Sequence, residues 1–356
     1  MRNTEMDILK GLGILIVVIG HIYEPFTWFP PYSFHMALFI FISGYFYKPN
    51  YETDVISFIK KRFISLAVPY FYYNIFFCFV TIFLLYKYNL SGLGMLPYFS
   101  LHNLFVEPFI SGHQFHFFLA GWFVIQLLIT QIIFLFLYKF FKKINNNLYF
   151  ALLFFAILSL LGVYLGNHGF NEGWKLLIGR TLFSLGFFYL GYFYKEKLAS
   201  KQIFNSYYLF VMLILQIILI YNFKDITYIM VFENYRGHLF LPIIVSINGI
   251  YLFLFISRAL SKVLPGKDIL ITIGQKSFHI LANHLFVFFL INFIYVKRHN
   301  LDMKVLNNVY YRFYVDKNWI IYVTCAIILP LLFALTVQKI RSKLVVIRSS
   351  KALNNH

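Results

Sequence analysis

Charged residues are scarce in this sequence, since Asp, Glu, Lys and Arg together make up 12% of its 356 residues. A soluble domain carries about 25% charged residues, so a water-soluble fold would lack the polar surface that it needs. Acidic residues are the rarer sign, with 13 Asp and Glu against 31 Lys and Arg and a formal net charge of +18. Most basic residues fall in short segments between apolar runs, where they indicate membrane topology. We therefore expect a lipid bilayer, and no nucleic acid, as the partner of these charges.

Cysteine is almost absent as well. Cys78 and Cys325 each lie inside an apolar run and are far apart in sequence. Two isolated thiols form neither a disulfide framework nor a cysteine-ligated metal site. We interpret both as packing residues and expect the protein to work without a metal.

The sequence is rich in long apolar runs, with 60% hydrophobic residues and a mean hydropathy of +0.72. Runs long enough to cross roughly 30 Å of hydrocarbon recur from Asp7 to Gln338. Backbone polar groups in lipid need internal partners, which leaves helices or closed barrels, and continuous runs favour helices. We predict an all-α transmembrane bundle of about ten spans, forming one membrane-embedded domain over residues 1–356 without a separate soluble domain. The predicted spans are 8–26, 33–47, 66–86, 119–138, 149–165, 176–194, 207–222, 238–258, 277–296 and 319–337.

Polar residues in the first apolar run are the strongest indication of function, because their burial in lipid is costly. Lys10 and His21 are eleven residues apart, so on one α-helix they share a face about 16 Å apart. Asp7 precedes Lys10 by one turn, and Glu24 follows His21 by one turn. This separation suits a ligand with an anionic head and a slim reactive tail, such as coenzyme A. The residues alone leave a second interpretation open, in which Lys10 is an interfacial anchor and His21 bonds a neighbouring helix.

Five motifs, in order along the chain, resemble the acyltransferase-3 family of bacterial membrane acyltransferases. Lys10, ten intervening residues and His21 resemble the family's Arg/Lys-x10-His signature. His35-Met36, within the segment 33–46, is similar to the fucose-4-O-acetylase-like branch. The other matching motifs are Gly121-Trp122-Phe123-Val124, Arg180 followed by residues 187–192, and Gly274-Gln275-Lys276-Ser277 continuing to His284.

The resemblance implies an O-acyltransferase in the cytoplasmic (inner) membrane of a bacterium. The donor would be cytoplasmic acetyl-CoA or another short acyl-CoA, and the acceptor a hydroxyl of an extracytoplasmic glycan such as O-antigen, capsule or exopolysaccharide. His21 would be catalytic, and we expect Glu24 to orient it. Lys10, Lys61 and Arg62 are the candidate CoA-binding residues, and the candidate acceptor-binding residues are His35, Trp122, Arg180 and His284. Many members of the family carry an Arg-x-x-Arg motif at this point. Here Arg62 matches the first arginine, and Ser65 stands in place of the second.

Two other classes of membrane protein share the apolar length and the buried polar residues. A transporter or lipid-linked-glycan flippase typically shows inverted repeats or paired broken helices, and we find neither pattern in the sequence. A glycan polymerase should concentrate arginine in an outer loop, whereas the segment 87–118, which we expect to form a folded cap, has Lys87 as its one Lys or Arg. The pairing of a basic cluster with an intramembrane histidine favours acyl transfer over both.

The distribution of basic residues predicts that both termini lie in the cytoplasm, because this orientation puts 21 of the 31 Lys and Arg residues on the cytoplasmic side. Reporter fusions after Lys143 and Lys201 should therefore report the cytoplasm. A fusion within residues 90–100 should report the outside. A periplasmic signal from the fusion after Lys201 would contradict this topology.

Overall fold

The computed structural model describes residues 3–22, 29–201, 205–263 and 266–353. Regular secondary structure in these ranges is helical, and two isolated β-bridges occur in loops. The α-helices are α1 Thr4–Gly20, α2 His35–Tyr45, α3 Val55–Arg62, α4 Val68–Tyr88, α5 Glu107–Ile110, α6 Trp122–Ile144, α7 Leu148–Asn167, α8 Gly173–Phe193, α9 Ser206–Asn222, α10 Leu241–Val263, α11 Lys267–Gln275, α12 Ser277–Arg298 and α13 Val315–Leu353.

The predicted helical membrane bundle is confirmed. In the described part of the chain, seven helical stretches are long and apolar enough to cross a membrane, and they coincide with seven of the predicted spans: Val55–Tyr88, His116–Ile144, Leu148–Asn167, Gly173–Leu198, Leu241–Val263, Ser277–Arg298 and Val315–Ile340. Helices α1, α2 and α9 lie at the other three predicted positions but have 17, 11 and 17 residues. The total of about ten spans therefore stays a prediction.

The first helix is shorter than predicted. It ends at Gly20, with His21 as its C-cap, instead of continuing to residue 26. Glycine has a low helix propensity, and in the sequence Pro25 follows shortly afterwards, which disfavours a longer helix. The predicted polar stripe therefore reaches His21, and Glu24 lies outside the described residues.

Glycines allow the helices around α1 and α2 to approach closely. A Cβ at Gly44 of α2 would overlap the backbone carbonyl of Phe188, and one at Gly191 would overlap that of Phe41. Helices α1 and α11 meet in the same way, since a Cβ at Gly274 would overlap the carbonyl of Asp7. Small residues permit such backbone contacts between membrane helices. These contacts hold α1, which carries Lys10 and leads into His21, against α11, and α2, which begins at His35, against α8.

The apolar core consists of two clusters, and α1 contributes to both. Met6 and Leu9 belong to a cluster built largely from α2, α6, α7 and α8. Ile14 and Val17 belong to a second cluster built largely from α4, α12 and α13. Helix α1 therefore lies along the boundary between the two clusters, and the cavities described below open beside this boundary.

The close contact of α2 with α8 requires a glycine at position 44, and this requirement can be tested. We expect Gly44→Ala to lower stability by about 1–3 kcal/mol, because the added methyl group would overpack against a backbone carbonyl. The matched control is Gly13→Ala on α1, where the added Cβ would first meet the flexible side chain of Leu38 at 3.0 Å. Thermal unfolding in detergent measures both variants. A Gly44→Ala protein as stable as the control would show that the two helices can separate at little cost.

Candidate functional site

Two cavities adjoin beside α1. The histidine cavity, of about 380 Å³, lies at the end of α1; its wall includes His21, Tyr32, His35, Leu119, Trp122, Thr227, Tyr228, Arg236 and Tyr310. The basic cavity, of about 470 Å³, lies beside Lys10; its wall includes Asp7, Lys10, Ser43, Phe46, Arg62, Leu127, Gln131, Gly274, Gln275 and Ser277. Three apolar residues, Val17, Met36 and Leu281, line both cavities.

Backbone carbonyls determine how the two imidazoles of the histidine cavity are presented. The Nδ1 atom of His21 is 2.8 Å from the carbonyl oxygen of Val17, and that of His35 bonds the carbonyl oxygen of Pro31. A carbonyl oxygen can only accept, so each Nδ1 must carry the proton. In this tautomer the Nε2 of each ring is the proton-accepting nitrogen. The ring of Tyr32 lies between them, 6.1 Å from the His21 ring and 5.1 Å from the His35 ring.

His284 lies behind His21 rather than in the cavity wall. The two rings pack edge to face with their centroids 4.9 Å apart. His284 is fully buried, and its Nδ1 is 2.8 Å from the carbonyl oxygen of Leu281. Its Nδ1 therefore also carries the proton. The structure thus brings His21 and His284 together, and the predicted role of His284 in acceptor binding stays a prediction.

Arg180 occupies a similar supporting position behind Trp122. Its guanidinium carbon is 4.7 Å from the centre of the Trp122 ring, and it donates hydrogen bonds to the carbonyl oxygens of Ser111, at 3.3 Å, and Val231. Glu233 is fully buried nearby. Burial raises the pKa of the Glu233 carboxyl to about 9, against the opposing effect of the Arg180 charge. Trp122 thus faces the cavity, while Arg180 and Glu233 form a polar layer behind it.

The segment 227–236 forms one side of the histidine cavity, a role that sequence reasoning missed. The backbone N–H of Tyr228 donates to the carbonyl of Tyr32 at 3.1 Å, and the Tyr228 hydroxyl bonds Ser246 at 2.7 Å. Arg236 forms an ion pair of 2.8 Å with Asp225. Four charged residues in this short connection between apolar helices were the available signal: Lys224, Asp225, Glu233 and Arg236.

Arg312 supports the end of α1 and was also missed. It is 8% exposed, and its guanidinium carbon lies 4.3 Å from the centre of the Phe288 ring. One Nη donates to the carbonyl oxygen of His21 at 3.4 Å, and the other bonds the carbonyls of Val309 and Tyr311. A cation at a helix C-terminus satisfies the exposed carbonyls and the helix dipole. Arg312 therefore acts on the backbone of His21, and its charge is structural rather than a topology signal.

The basic cavity contains Lys10 and Arg62 from the predicted CoA-binding set. The Nζ of Lys10 is 3.7 Å from Asp7 and 4.7 Å from the centre of the Phe46 ring. Arg62 packs over Phe58 at 5.2 Å. Lys61 is exposed and lies outside this lining. The structure therefore brings Lys10 and Arg62 together, although they are distant in sequence, and leaves Lys61 on the surface.

Two features extend the polar character of this cavity. Gln131 of α6 donates to the hydroxyl of Ser43 on α2 at 3.0 Å. Helix α12 begins at Ser277, which lines the cavity together with Gly274 and Gln275. The start of a helix carries a partial positive charge and unpaired N–H groups, so it favours anions. The cavity thus combines two cationic side chains with a helix N-terminus.

Comparison with known proteins supplies one match. Residues 3–339 match the family model that is described as an acyltransferase domain. No curated protein and no solved structure matches this chain significantly. Within the described residues, no group of three or more His, Cys, Asp or Glu side chains is placed to hold a metal ion.

Proposed function

Because this chain belongs to the acyltransferase-3 family and is a multi-pass membrane acyltransferase, we propose that it transfers an acetyl group from acetyl-CoA to a hydroxyl of an extracytoplasmic glycan. The carrying observation is that the histidine cavity and the basic cavity adjoin on the same helix. Lys10 lies in one cavity and His21 in the other, with the side chain of Val17 in the wall of both. In this proposal, the donor and the acceptor bind in separate cavities and react where the two cavities adjoin.

The basic cavity is the proposed donor site. Its Lys10 and Arg62 side chains, together with the start of α12 at Ser277, suit the phosphates of coenzyme A. Lys61 adjoins Arg62 in sequence and is exposed, so it adds positive charge close to this cavity. The thioester of the bound donor would then point toward the wall that the two cavities share.

The histidine cavity is the proposed acceptor site. The aromatic side chains of Tyr32, Trp122, Tyr228 and Tyr310 line it, and such rings offer apolar faces together with polar edges. The accepting Nε2 of His35 can receive a hydrogen bond from a sugar hydroxyl. Arg180 supports Trp122 from behind, so in this proposal it acts on the acceptor through that ring.

His21 is the proposed general base. Its Nε2 accepts the proton of the sugar hydroxyl while the hydroxyl oxygen attacks the thioester carbonyl carbon. A carbon–oxygen bond forms, the carbon–sulfur bond breaks, and the imidazolium returns the proton to the departing thiolate of coenzyme A. The carbonyl of Val17 orients the ring through Nδ1. The role of Glu24 in orienting this imidazole stays a prediction, because Glu24 lies outside the described residues.

The test of this mechanism is His21→Gln, which keeps much of the volume but cannot accept a proton at neutral pH. We expect the release of free CoA from acetyl-CoA, with a glycan acceptor and purified protein, to fall by about 10²–10⁴-fold. His168→Gln is the matched control, because His168 is exposed and its Nδ1 also contacts a carbonyl of its own helix. A near-wild-type rate in His21→Gln protein of unchanged thermal stability would overturn the assignment.

The donor site is tested by neutralising Lys61 and Arg62. We expect the double variant Lys61→Gln with Arg62→Gln to weaken acyl-CoA binding, and the wild-type affinity to fall with ionic strength. The two single variants show how much each residue contributes to acyl-CoA binding. Arg62→Gln should account for most of it, because Arg62 lines the cavity and Lys61 does not. An unchanged dissociation constant in the double variant would place the donor elsewhere.

A further inference from the structure

Three apolar residues from three helices line both cavities. Val17 comes from α1, Met36 from α2 and Leu281 from α12. Val17 and Leu281 are 2% and 9% exposed, and Met36 is partly buried. A donor in the basic cavity and an acceptor in the histidine cavity can react only at the boundary that these three residues line.

Each of these residues is tied to one of the three clustered imidazoles. The carbonyl of Val17 accepts the hydrogen bond of His21, and the carbonyl of Leu281 accepts that of His284. Met36 directly follows His35 in the sequence. The three residues that line both cavities therefore belong to the same backbone segments as the three imidazoles. Their side chains set the size of the opening between the cavities, next to the reacting nitrogen.

On the basis of the proposed function, we propose that Val17, Met36 and Leu281 form the passage for the acyl group and limit transfer to short acyl chains. The passage is apolar, so it accommodates the methyl group of an acetyl chain. Met36 is the adaptable member, because an unbranched thioether side chain has three rotatable bonds. Val17 and Leu281 are branched and buried, and they set the limit on chain length.

The experiment measures free CoA released by the purified full-length protein from acetyl-, propionyl- and butyryl-CoA, with water as the acceptor. His21→Gln protein supplies the blank for each donor. Leu281→Ala removes three carbon atoms from the passage and Met36→Ala opens its adaptable side. We expect each variant to raise the ratio of butyryl to acetyl turnover by about 10-fold or more, the discrimination typical of one or two methylene groups. Val17→Ile should lower the same ratio.

Leu119→Ala and Leu127→Ala are the matched controls, because Leu119 lines only the histidine cavity and Leu127 only the basic cavity. The turnover ratio does not depend on the fraction of folded protein, so a poorly folded variant still gives an interpretable value. An unchanged ratio in Leu281→Ala and Met36→Ala, with release still dependent on His21, would overturn the passage alone. Release that is independent of His21 for every donor would overturn both the passage and the proposed function.

Discussion

The site depends on imidazole rings that donate from Nδ1 to a carbonyl of their own chain three or four residues earlier. His21, His35 and His284 all make this contact. In a helical bundle with an apolar exterior, a buried N–H without a partner is costly, and the local carbonyl satisfies it without a second polar residue. The same bond leaves Nε2 as the accepting nitrogen. The bond that satisfies the buried N–H therefore also leaves Nε2 free of a proton, so that it can act as a base.

Helix α1 connects this local bond to the architecture. Its backbone packs against α11 at Gly11 and Gly274, where a Cβ would overlap the carbonyl of Leu270 or Asp7. Its side chains divide between the two apolar clusters. These contacts hold α1, and with it Lys10 and His21, within the bundle. Val17 of the same helix lines both cavities.

Buried arginines supply the remaining support. Arg180 lies over Trp122 and Arg312 over Phe288, and each donates to backbone carbonyls of loop segments. Arginine suits this position, because its planar guanidinium can stack on a ring while its edge bonds carbonyl oxygens. These bonds order loop segments at the histidine cavity, since Arg180 bonds Val231, and Arg312 bonds Val309 and Tyr311, the two neighbours of Tyr310 along the chain.

Composition and the spacing of residues were enough to predict a helical membrane protein, the positions of seven spans and the family. These features follow from hydropathy and from local order along one helix or motif. The end of α1, the position of His284 against His21, and the separation of Lys61 from the basic cavity came only from the tertiary structure. So did the roles of Glu233 and Arg312, the latter 291 residues away from the carbonyl of His21 that it bonds. The physical reason is that helix propensity and hydropathy act within a few turns, whereas the contacts of a buried side chain depend on which helices pack together, and that packing is decided by close glycine contacts and shape across the whole bundle.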